Sequence, residues 1–192
     1  MKPAKIKLPI IQGATFRKSL RWGQPTVAAV AIANIAAAAP AVITTSGAHG
    51  LPSIPWPVRV KAARHGLGDD VLMATNTGAN TLTVPVSTLT ATAYKGPGEL
   101  QFNPPVDLTG YTARAQFRSS TSSATVLLEL TSDNGGIEIE AAGRVTLVID
   151  ADQTEEIGWS SAVYDLELIA PDGTVTRLAE GEASVSPEVT RP

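Results

Sequence analysis

The sequence predicts an all-β protein built from a regular run of strands with a second, smaller β-module set into it. Three observations carry that prediction. The chain of 192 residues is 43% hydrophobic and only 17% charged, so it can bury a core, and with 16 Gly and 14 Pro the composition favours short strands and turns over long helices. From Tyr111 onward, apolar and polar residues alternate with period two. Between about residues 25 and 95 the texture changes to short apolar pieces punctuated by Pro40, Pro52, Pro55, Pro57 and Pro85.

In chain order, the segment from Thr15 to Trp22 places Phe16, Leu20 and Trp22 on one side and reads as a strand that joins the later ones from across the intervening segment. Pieces at 27–35, 41–45, 58–63, 71–75 and 81–86 fit a small barrel or sheet. Gly23-Gln24-Pro25 and Lys95-Gly96-Pro97-Gly98 bracket this module with turn chemistry, as an insertion would be bracketed. The expected division is therefore 1–24 as an N-terminal arm and strand, 25–95 as the inserted module and 96–192 as the main domain. In that domain Tyr111, Ala113, Ala115 and Phe117 face inward, Val126, Leu128 and Leu130 continue the pattern, and Ile137/Ile139, Val145/Leu147/Ile149 and Tyr164/Leu166/Leu168 follow. Ala151-Asp152-Gln153-Thr154-Glu155-Glu156-Ile157 is the one helical candidate there, with acids suited to a helix start. Pro171-Asp172-Gly173-Thr174 is a turn. About seven strands at turn-punctuated spacing over 98–190 predict an immunoglobulin-like β-sandwich, without the antibody-type core disulfide because the chain has no cysteine.

Charge is split along the chain: residues 1–24 carry +6, 25–95 carry +2 and 96–192 carry −11. This leaves two readings open. Copies of the chain dock head to tail or on charged partners, or the basic N-terminal strand pairs with the acidic C-terminal part of its own chain. On the first reading Lys2, Lys5, Lys7, Arg17, Lys18 and Arg21 are the interaction candidates. Trp56 joins them, as an anchor in an exposed proline-flanked loop of the module.

Chemistry finds little material. Thiol nucleophiles and zinc sites with cysteine ligands are excluded, and His49 and His65 are the only imidazoles. No Gly-x-Ser-x-Gly elbow and no phosphate-cradling glycine loop occur. His65 with Asp69 and Asp70 reads as a solvated hairpin loop before a metal loop. Asp150, Asp152, Glu155 and Glu156 lack the glycine and closing spacing of a calcium loop and are better explained as helix-start acids. No cofactor and no catalysis are expected. Six basic residues near the start of an acidic protein are a weak nucleic-acid footprint, so nucleic acid is not expected as a direct partner. No apolar run is long enough for a membrane span, and the start lacks the continuous apolar stretch of a secretory signal.

The residues Asp107-Leu108-Thr109-Gly110-Tyr111-Thr112-Ala113-Arg114-Ala115-Gln116-Phe117-Arg118, then Leu127-Leu128-Glu129-Leu130, Val163-Tyr164-Asp165-Leu166-Glu167-Leu168 and Pro171-Asp172-Gly173-Thr174-Val175, resemble a family of small structural proteins of tailed bacteriophages. Specifically, they look like the immunoglobulin-like N-terminal domain of baseplate upper proteins, and the ending Ser184-Val185-Ser186-Pro187-Glu188-Val189-Thr190-Arg191 fits the same likeness. Within the module, Pro40-Ala41-Val42-Ile43-Thr44-Thr45 with Ala48-His49-Gly50-Leu51 resembles a small β-module of phage tail and fibre proteins. Both resemblances imply a non-enzymatic virion component made in the host cytoplasm, present in several copies and bound to other virion proteins. Tail, baseplate or fibre attachment is the leading location. Capsid decoration is the alternative, and a carbohydrate-binding or carbohydrate-active protein is a further one, to be distinguished by a cleft with paired carboxylates and exposed aromatics.

Overall fold

A computed structural model describes residues 2–62, 67, 70–90 and 93–189 of the chain. It is all-β and divides into two compact units, Met1–Trp22 with Asp107–Pro192, and Gly23–Val106. The strands of the discontinuous unit begin with β1 (Ala4–Lys5), β2 (Leu8–Ile11) and β3 (Phe16–Arg21). The second unit contains β4 (Ala28–Ala36), β5 (Ala41–Thr45), β6 (Trp56–Ala62), β7 (Val71–Gly78), β8 (Thr81–Val84) and β9 (Gly98–Phe102). The first unit then resumes with β10 (Thr112–Arg118), β11 (Leu128–Thr131), β12 (Ile137–Glu140), β13 (Arg144–Ile149), helix α1 (Ala151–Glu155), β14 (Ser161–Ile169) and β15 (Val175–Ser186).

The discontinuous unit has two sheets. One has six strands in the order β1-β15-β14-β10-β11, with β2 also on β15, and the other has three in the order β12-β13-β3. Period-two alternation accounts for both. Ala113, Ala115 and Phe117 of β10 are buried with Ala162, Tyr164, Leu166 and Leu168 of β14, while the residues between them point outward. Phe117 stacks on Tyr164 at 5.4 Å and on Trp159 at 6.2 Å between ring centroids. In the smaller sheet Val145, Leu147 and Ile149 are buried, and register sets Leu20, Lys18 and Phe16 of β3 opposite them. Strand β11 begins only at Leu128, so Val126, expected to point inward, lies in the preceding loop and is exposed.

Helix α1 forms where the acids predict it. Asp150 is its N-cap, accepting from the Gln153 N–H at 2.8 Å while the Gln153 side chain accepts from the Asp150 N–H, which is a capping box. Of the acids of this stretch, Asp150 thus satisfies an orphan donor of the short helix, and Asp152 lies in its first turn. The turn at 171–174 is also as expected: Gly173 takes φ +84° and Asp172 accepts from the Thr174 N–H at 2.8 Å. That bond is the main cause holding the Asp172 carboxyl below its usual range.

The second unit is a closed antiparallel barrel, β4-β5-β8-β7-β6-β9. Its interior is filled by Ile32, Ile35, Ile43, Trp56, Val58, Val60, Leu82, Val84, Leu100 and Phe102 among others. The boundaries differ from those expected. The stretch 98–102, expected in the main domain, is the strand that closes the barrel, pairing with β4 on one side and β6 on the other. The turn at 95–98 therefore lies inside the module, and the unit runs to Val106. Its two ends meet: Gly23 bridges Pro105, and the Gln24 N–H donates to the Pro104 carbonyl at 2.7 Å.

Candidate interaction surfaces

The basic residues near the start of the chain do not form a free arm. β1 runs parallel to β15 with Ala4 opposite Ala179 and Lys5 opposite Glu180, and β2 continues along the same strand from Leu8 opposite Ala183 to Ile11 opposite Ser186. Leu8 and Ile10 are buried to 1% exposure, so the segment is anchored by apolar burial as well as by its ladder. The Lys7 ammonium lies 3.7 Å from the Glu182 carboxylate. Lys2 is exposed ahead of β1. Of the two readings of the charge split, the geometry has the second: basic N-terminal strand on acidic C-terminal strand within one chain.

The same holds for the basic residues of β3. Arg17 is ion-paired with Glu138 across the intervening β13. Arg144 is paired with Glu140, its Nε donating at 2.7 Å. Beside that pair Arg21 is half-buried, and burial, followed by the nearby Arg144, lowers its pKa. Lys18 is different. It lies between Phe16 and Leu20 on the inward side of an edge strand, half-buried. A charge pointing inward at an edge opposes the addition of another strand.

Trp56 is not in an exposed loop. It belongs to β6, is 1% exposed, and its indole N–H donates to the Asn103 carbonyl at 2.8 Å. With its one polar group satisfied, this large ring serves the barrel interior. His49 is likewise structural: buried, its Nδ1 accepts from the Leu51 N–H at 3.1 Å and its Nε2 donates to the Thr81 carbonyl at 3.2 Å. His65 and Asp69 fall outside the described residues, and Asp70 is exposed. Among the described residues no group of three or more His, Cys, Asp or Glu could hold a metal ion, and no helix is long and apolar enough to cross a membrane.

Two surfaces stand out. The first is an open groove of about 930 Å³ on the six-stranded sheet, lined by residues from β1, β10, β14 and β15 and by Lys7. Its charges are largely spent on one another. Arg114 meets Glu167 at 2.8 Å, and Arg177 meets Asp165 at 3.1 Å and Glu180 at 3.6 Å. Tyr164 is the only aromatic residue among those lining it, and its hydroxyl donates to the Ile6 carbonyl at 3.0 Å.

The second surface is the outside of the barrel. Four neighbouring strands, β4, β5, β8 and β7, contain no Asp, Glu, Lys or Arg, while Arg59, Lys61 and Glu99 are confined to the adjacent pair β6 and β9. The outward residues of the uncharged wall are mostly small or hydroxylic: Ala29, Ala31, Ala33 and Asn34 on β4, Val42 and Thr44 on β5, Thr81 and Thr83 on β8, Thr75 and Thr77 on β7. Val71 and Met73 extend it at 59% and 37% exposure. The low charge of the module was visible in the sequence. Its confinement to one wall was not, because the closing pairs of a barrel bring together strands distant in sequence. No family model and no curated protein matches this chain.

Proposed function

We propose that the chain is a non-enzymatic structural subunit of a tailed-phage particle, sited at the tail, baseplate or fibre attachment, which acts through contacts between subunits. We further propose that its discontinuous unit is an immunoglobulin-like sandwich. The strand orders β2-β15-β14-β10-β11 and β12-β13-β3, with the first strand parallel to the last, support that architecture. The placement in a phage rests on the resemblance of the 107–118, 127–130 and 163–175 residues.

The observation that carries the mode of action is the uncharged barrel wall, and its occupant in this reading is a second copy of the chain. A two-fold contact sets a patch against itself, so any net charge on the patch is repelled. A wall without ionisable groups, edged by exposed Val71 and Met73, meets itself at no such cost. The aromatic groups a sugar platform needs are engaged elsewhere: Trp56 in the barrel, Trp22 edge-on to Tyr111 at 6.2 Å and Trp159 on Phe117. The test is the pair of substitutions Met73→Glu and Thr75→Glu, which places like charges face to face in that contact. Sedimentation should show wild-type self-association at micromolar concentration and a folded, monomeric double variant that fails to enter particles. Unchanged association and incorporation would overturn the wall as the contact. Gold-labelled antibody found on the shell instead of the tail would move the location to capsid decoration.

A further inference from the structure

The outer edge of the six-stranded sheet ends at β11, which among the described residues pairs with β10 alone. Along β11, Leu128 and Leu130 turn their ladder groups toward β10. Glu129 and Thr131 therefore turn theirs outward, where the next strand would bond. Two of those outward groups, the Thr131 N–H and the Glu129 carbonyl, are already taken. The Thr131 N–H donates to Asn134 Oδ1 at 2.8 Å, and Asn134 Nδ2 donates to the Glu129 carbonyl at 3.0 Å. A single residue of a parallel strand bonds its neighbour in this pattern, its N–H to the carbonyl one place before the facing residue and its carbonyl to the N–H one place after. The facing residue here is Leu130, and the group that bonds is a side-chain amide. The amide is itself held in place: Oδ1 also accepts from the Gly136 N–H at 2.9 Å, and the Asn134 N–H donates to Thr131 Oγ1 at 3.0 Å.

We infer that Asn134 is a built-in substitute for a seventh strand, which closes the β11 edge against strand addition by a second copy of the chain. Asparagine suits the role because its carboxamide has the donor and acceptor of a peptide group, whereas aspartate lacks the donor and serine the reach. The device is independent of the barrel wall, and it keeps self-association away from this edge.

Two measurements test it. In the unaltered protein, hydrogen exchange at the Thr131 amide should be slow, like that of an interior ladder amide, although β11 is an edge. Exchange as fast as in an exposed loop would overturn the inference. In the Met73→Glu/Thr75→Glu background, where the wall contact is removed, Asn134→Ala should associate with rising concentration. Its Thr131 amide should exchange at least about tenfold faster when dilute and slow again as copies pair. A folded Asn134→Ala variant that stays monomeric at every concentration would overturn the inference. If this variant does not fold, the exchange result on the unaltered chain decides alone. Because the background already lacks the wall contact, failure of the wall reading leaves this outcome unaffected.

Discussion

Single residues in this chain carry out roles different from those their chemistry first suggests, and Tyr164 shows how far burial decides. Its ring stacks on Phe117, its hydroxyl donates to Ile6, and burial pushes the phenol up to about 12. An unfolded tyrosine ionises near about 10. Below about 10 both states hold the proton and the contribution to stability is complete; between about 10 and 12 only the folded state holds it, so stability falls as pH rises through that window. Tyr164→Phe should remove this slope and cost about 1 kcal/mol at neutral pH for the lost hydrogen bond. Urea unfolding of both proteins from pH 8 to 12 checks it, the gap between them closing and then reversing as pH rises. Trp56 illustrates the converse limit of sequence reading. Prolines on either side suggest a loop, but the alternation Trp56, Val58, Val60 places three buried residues on one face of a strand that enters the barrel.

At the scale of elements, most strands were legible because one face of each is buried and period two follows from that. β5 and α1 also fall within the stretches their residues mark out. What the alternation could not reveal is partnership. Gly98-Glu99-Leu100-Gln101-Phe102 alternates as well as any strand of the main unit, yet it closes the barrel, because only a strand between β4 and β6 completes the cylinder. The N-terminal segment is a second case, since its basic residues suggested an arm while Leu8 and Ile10 fixed it as a strand. A signal for this docking sits in β15: Gly181 is a glycine inside a strand, which marks a close backbone approach. A Cβ there would lie 2.1 Å from the Ile6 carbonyl oxygen. Gly181→Ala should therefore push the first strands off β15, at a cost of about 1–3 kcal/mol for the overpacking. The expected readout is faster amide exchange at Ile6, whose N–H donates to Glu180 at 3.0 Å, with β10 and β14 unaffected. A thermal midpoint and exchange pattern equal to wild type would contradict the close approach.

For the molecule as a whole, the chain leaves the discontinuous unit after Trp22 and returns at Asp107, and the barrel between these points has its two ends bridged at Gly23 and Pro105. Replacing residues 24–105 by a short Gly/Ser linker should leave the discontinuous unit folded, since closing a short loop between neighbouring ends costs little entropy. Removing only 27–94 should do worse, because it retains Leu100 and Phe102 on a strand whose two partners are gone. Circular dichroism and proton NMR of the two deletions distinguish these outcomes, and equal behaviour would count against the observed boundary. The parallel pairing of the first strands with the last has a mechanical meaning. Tension applied between the two termini draws β2 and β15 along their common axis in opposite directions. The evenly spaced ladder between them is then loaded in shear, all bonds at once, and does not peel open bond by bond. A pull on the chain thus meets resistance at its outermost strands first, and the barrel, entered and left at one bridge, gives up little length until that ladder fails.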